Sequence, residues 1–130
     1  MSILLLGVLG ITAELLLLAH TEDLNQWIPI ALAGLTVVLC AMVALRPTPA
    51  SLRIFQFVMV LMILSGALGM YLHLSANMEF QLEMDSTLKG FALLKKSIVA
   101  KSPPALAPGA MTQLGLIGLA YTYKHPLLQR

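Results

Sequence analysis

Four long apolar runs decide what this chain can become: Ile3–Ala19, Trp27–Leu45, Ile54–Leu74 and Ala105–Tyr123. Each holds 17 to 21 residues. An α-helix rises about 1.5 Å per residue, so about 20 residues cross the roughly 30 Å hydrocarbon core of a bilayer. Lipid offers backbone amides and carbonyls no partner, which leaves helices and closed barrels as the spanning structures. The runs are continuous rather than alternating, so helices are expected.

Composition points the same way. Hydrophobic residues make up 58% of the chain and charged residues 11%, against about 25% charged in a soluble domain. A soluble domain of this size could not bury so much apolar surface. The expectation is an all-α integral membrane protein of one domain, residues 1–130. Its four transmembrane helices would form an up-down bundle, with the lipid bilayer of the cell (inner) membrane as first partner. The first run has no Lys or Arg before it, contains Glu14 and is followed by no A-x-A site. It reads as a permanent span rather than a cleaved signal.

The connections differ. "HTEDLNQ" and "RPTPASLR" are tight polar hairpins, whereas residues 75–104 form a long outer segment that needs structure of its own. From Met78 to Asp85 polar and apolar residues alternate, which predicts an extended strip. Leu88, Phe91, Ala92, Leu94, Ile98 and Val99 then recur at helical spacing, predicting an interfacial amphipathic helix capped by Asp85 or Ser86. "KSPPALAPG" breaks it.

The side bearing both termini carries Arg46, Arg53, Lys124 and Arg130 and no acid. The other carries Lys89, Lys95, Lys96 and Lys101 with Glu22, Asp23, Glu79, Glu83 and Asp85. Arg46 and Arg53 crowd a short loop at helix ends, which places both termini in the cytoplasm. Trp27 and Tyr71 would then mark the outer interface, and Tyr121 and Tyr123 the inner one.

Small residues pair at i, i+3: Gly7 with Gly10, Ala31 with Gly34, Gly66 with Gly69, and Gly115 with Gly118. In lipid such faces let helices approach closely. Three of them lead on to polar residues, namely Glu14, His73 and Thr122. The starts "PIALAG" at Pro29 and "PALAPG" at Pro104 hint at a duplicated two-helix unit.

Candidate chemistry is sparse. Glu14 lies within a span, where an acid is costly and has no basic partner in any other span. Other mid-membrane polar residues include Thr36, Ser65 and Gln113. His20 and His73 close spans one and three on the acidic side. With Glu22, Asp23, Asn77, Glu79 and Glu83 they form a candidate binding face. His20, His73 and Glu79 are the candidate ligands of a divalent metal, and Met70, Met78 and Met84 nearby would suit copper. The same histidines, on diagonal helices, are candidate axial ligands of haem b. His125 reads as a juxtamembrane residue, and Cys40 as a small packing residue.

No soluble-enzyme motif occurs, and the chain is not expected to be an enzyme. No basic patch with interleaved aromatics points to nucleic acid. Three function classes follow. The first is an accessory or docking subunit with an outer-face metal site and a protein partner. The second is a homo-oligomeric proton-coupled transporter or channel working through Glu14. The third is a haem b electron-transfer subunit.

Overall fold

The structure, a computed structural model, describes residues 1–100 and 103–129. Lys101 and Arg130, counted in the charge balance above, lie outside the described residues. Five α-helices follow one another: α1 (Ser2–Leu17), α2 (Leu24–Leu45), α3 (Pro49–Met84), α4 (Gly90–Ile98) and α5 (Leu106–Thr122). A short 3-10 turn, Pro126–Leu128, ends the described chain. The protein is all-helical, with no strand among the described residues.

Among the described residues two helices, α2 and α3, are long and apolar enough to cross a membrane. With 16 and 17 residues, α1 and α5 are shorter. Helix α3 is the long one. Its 36 residues extend about 54 Å, far beyond a hydrocarbon core.

Local chemistry sets the ends. Thr48 and Ser51 form a reciprocal capping box: the Ser51 amide donates to Thr48 Oγ1 at 3.0 Å and the Thr48 amide to Ser51 Oγ at 2.9 Å. Pro49, whose ring presets a helical φ, opens α3. Helix α1 closes differently. The His20 amide donates to Leu15 O at 2.9 Å and the Ala19 amide to Leu16 O at 3.1 Å. This is a Schellman closure with Ala19 in the left-handed position, φ 50°. The turn fixes where His20 sits.

The predicted extended strip Met78–Asp85 is overturned. Helix α3 runs through it to Met84, and the Asp85 amide still donates to Gln81 O at 3.0 Å. A lone strand would leave its backbone groups without a ladder partner, whereas continuing the helix pairs them. Glu, Gln, Leu and Met are also strong helix formers. The amphipathic helix exists but starts later, at Gly90, with Lys89 rather than Asp85 or Ser86 at its N-cap. Asp85 instead closes α3. Its carboxylate accepts from the Thr87 hydroxyl at 2.6 Å and the Thr87 amide at 3.1 Å. Those bonds hold its carboxyl below the usual carboxylate range, the hydroxyl first.

Four helices touch in a ring: α1 on α2, α2 on α3, α3 on α5, and α5 back on α1. Helices α1 and α3 therefore stand at opposite corners. Helix α4 lies outside the ring, against the far part of α3. Each ring helix buries one stripe. Leu4, Val8, Ile11 and Leu15 come from α1; Leu52, Phe55, Met59 and Met62 come from α3. The α3–α5 contact is the tightest. A Cβ on Gly66 would lie 2.5 Å from Pro108 O, and one on Gly115 2.6 Å from Met59 O. Residue numbers fall along α3 as they rise along α5, so the two run antiparallel. Gly7 likewise faces Leu114, whereas a Cβ on Gly10 or Gly34 would meet open space. The small-residue faces of α3 and α5 are thus packing faces, that of α1 is one only in part, and that of α2, with Ala31 and Gly34 both exposed, is not.

Candidate functional site: a histidine-walled cavity

At the end of the ring where α1 finishes and α2 and α5 begin, the helices part around a cavity of about 540 Å³. That volume suits a small ligand. Glu14, Leu15, Leu18 and His20 come from the end of α1, and Asp23, Asn25, Gln26 and Pro29 from the start of α2. Ser65, Gly69, His73 and Ala76 come from the middle of α3. Pro103, Leu106, Ala107, Pro108 and Met111 belong to the start of α5. The wall is thus apolar with a few converging polar groups.

His20 and His73 meet across the diagonal. Their ring centroids are 6.2 Å apart and their planes 17° from parallel. Burial, and then charge on His73, push the His20 pKa below its ordinary 6.5. The neutral imidazole is therefore favoured, the form that ligates metal. The polar hairpin before α2 is braced locally. The Glu22 amide donates to Gln26 Oε1 at 2.8 Å, and Trp27 Nε1 donates to Thr21 O at 3.1 Å.

The candidate face divides. Glu14, His20, Asp23 and His73 share the cavity wall, although Glu14 is surface-exposed as well. Glu22, Asn77, Glu79 and Glu83 do not line it. Glu79 and Glu83 stand exposed on the far part of α3. Asn77 Nδ2 donates to Ser97 O at 3.1 Å and so ties α3 to α4. Among the described residues, no group of three or more His, Cys, Asp or Glu lies together as a metal cluster. His125 accepts from the Leu127 amide through Nδ1 at 3.3 Å and caps the terminal turn. Cys40 is buried and free.

Sequence reasoning missed Asn25, Gln26 and the prolines of the wall. Asn25 and Gln26 sat in a stretch read only as a hairpin. Pro29 and Pro108 carry no amide, so neither can donate to the carbonyl four residues before it. A proline six residues into a helix was the available signal.

The comparisons with known proteins are empty: no protein family, no curated protein and no solved structure matches the chain.

Proposed function

We propose that the chain is a small integral protein of the cell membrane, both termini cytoplasmic, acting as an accessory subunit that holds a metal ion at its outer end. The membrane placement is supported by the outward faces. Ile3, Leu6 and Leu17 are 74%, 76% and 86% exposed, and Val38, Phe57, Leu64 and Leu116 are exposed on the other ring helices. Helices that are apolar all round suit lipid, and water-soluble surfaces rarely expose such patches.

One observation carries the metal reading: the approach of His20 to His73. With metal–nitrogen bonds of about 2.0 Å, two imidazoles on one ion hold their ring centres no more than about 6 Å apart. The observed rings are stacked at 6.2 Å, just beyond that reach, so binding would draw them closer and turn their nitrogens toward one ion. The rings would supply two ligands, and Asp23, in the same wall, would supply a third after a side-chain rotation. Glu79 has no part in this set. The protein purified from membranes should bind Cu(I) or Zn²⁺ at one site per chain. His20→Ala and His73→Ala should each weaken it by tenfold or more, and Glu79→Ala should leave it unchanged. Equal binding by all four proteins would end the metal reading.

The cavity also favours a second reading. Glu14 opens onto the same space as the two histidines, an arrangement suited to passing protons in an oligomeric transporter. Glu14→Gln in proteoliposomes separates the two: it should abolish proton flux in a transporter and spare metal binding in an accessory subunit. The haem b reading draws on the same histidine pair. A Soret band in haem-supplemented cells that vanishes in His73→Ala would establish it, and its absence would remove it.

A further inference from the structure

A second hollow, also about 540 Å³, lies at the opposite end of the ring. Arg53 and Gln56 come from the start of α3, Thr122 from the end of α5, and Lys124 and Gln129 from the terminal segment. The terminal segment is not loose. Leu127 and Leu128 pack against the core, and the 3-10 turn rests on α3. Lys124 takes a left-handed φ of 51°, so the chain turns at once, and Lys124 and Arg53 both line the hollow. Gln129 Nε2 donates to Lys124 O at 3.2 Å, and Gln56 Nε2 donates to Thr122 Oγ1 at 3.1 Å.

The electrostatics are one-sided. No Asp or Glu occurs between Asp23 and Glu79 or after Asp85, so every acid in the chain lies outside the segments that build this hollow. Among the described residues the one ion pair is Lys96–Asp85, on α4 and at the end of α3. Two cations therefore line one hollow with no Asp or Glu side chain among the described residues to neutralise them. A guanidinium and an ammonium lining one space suit the oxygens of a phosphate, with the Lys124 ammonium 5.4 Å from the centroid of the Tyr123 ring. Basic pockets between helices at the cytoplasmic membrane face recognise anionic headgroups.

We propose that this hollow binds the phosphate of an anionic lipid headgroup in the leaflet that faces the termini. The proposal rests on the membrane reading above, and it is independent of the histidine cavity. Tyr123, exposed in its wall, suits the interfacial depth at which a headgroup sits.

The test is native mass spectrometry of the full chain released from mixed phosphatidylglycerol and phosphatidylcholine micelles. Wild type should retain phosphatidylglycerol over phosphatidylcholine by about tenfold. The double variant Arg53→Gln/Lys124→Gln should lose that preference, and Lys95→Gln/Lys96→Gln should keep it. Far-UV circular dichroism confirms that both variants fold. An unchanged preference in Arg53→Gln/Lys124→Gln overturns the proposal. A lipid-free detergent sample with inorganic phosphate distinguishes the source: a melting shift as large as the lipid's assigns the site to the free ion and overturns the lipid assignment. Alkaline carbonate extraction of membranes reads the membrane placement separately. Release of the chain would remove that placement and the lipid with it, whereas retention with no lipid preference would remove the headgroup site alone.

Discussion

His20 and His73 stand on helices at opposite corners of the ring, yet their imidazoles lie nearly parallel with centroids 6.2 Å apart. Asp23 and Glu14 are the other titratable groups in the same wall. Burial first, and then charge on His73, hold the His20 pKa below 6.5. The unfolded chain binds its proton near that value, and the folded chain only at lower pH. Stability from neutral His20 is therefore complete above about 6.5 and is lost as pH falls through the folded value. The melting temperature in detergent should drop between about pH 7 and pH 5, the span of histidine titration. His20→Asn should flatten that drop. Superimposable profiles for the two proteins would remove His20 from the pH dependence.

Ala19 holds the left-handed position of the turn that ends α1, with φ 50°. An L-residue there costs about 1–2 kcal/mol, because Cβ crowds the following carbonyl. Glycine relieves the crowding but adds freedom to the unfolded chain. Ala19→Gly should therefore stabilise the fold by about 0.5–1 kcal/mol, net of that entropy. Urea or guanidinium unfolding of both proteins in the same detergent measures it. A destabilised Ala19→Gly would mean the turn is not held in this conformation.

These two features mark the limit of what the sequence displays. The long apolar runs show their helices because periodicity and continuity are local properties. The alternation from Met78 to Asp85 is local too, but it misleads. Eight alternating residues fit a strand only if a neighbour supplies hydrogen bonds, and none does, so the intrinsic preferences of Met, Glu, Gln and Leu prevail. The sequence put His20 and His73 at one end of the molecule but left their contact open. That contact depends on the Schellman turn at Ala19 and on how the diagonal helices lean, both tertiary facts. Asn25, Gln26 and Pro29 entered the cavity wall for the same reason. Glycine spacing located the α3–α5 contact, yet it also marked Gly10 and Gly34. On a helix apolar all round, nothing local tells the face against a neighbour from the face against its surroundings.

That last distinction is measurable. A Cβ at Gly66 would lie 2.5 Å from the Pro108 carbonyl oxygen and 2.9 Å from the Thr112 amide nitrogen. Both are backbone atoms, which cannot swing aside as a side chain does. Gly66→Ala should therefore force α3 and α5 apart and cost about 1–3 kcal/mol. Gly34 meets nothing within 4 Å, and alanine is the better helix former by roughly 0.5–1 kcal/mol. Gly34→Ala should be neutral or stabilising. Reversible unfolding in detergent compares the pair, and equal effects would contradict the α3–α5 packing described.

Asn77 was a candidate binding residue, and its position gives it structural work instead. Its Nδ2 donates to Ser97 O at 3.1 Å. Ser97 is fully buried, with its hydroxyl donating to Leu93 O at 2.9 Å. Leu93 and Ser97 are the residues through which α4 is buried. The nearby Lys96–Asp85 pair, 3.8 Å apart and solvent-exposed, contributes little by comparison. Asn77→Ala should therefore loosen α4 locally, by about 1 kcal/mol for the lost hydrogen bond, and leave the ring helices intact. Hydrogen exchange should speed up across residues 90–98 and stay unchanged in α2 and α5. If Asn77→Ala abolished metal or partner binding with no change in exchange, its amide would be contacting the ligand rather than holding α4.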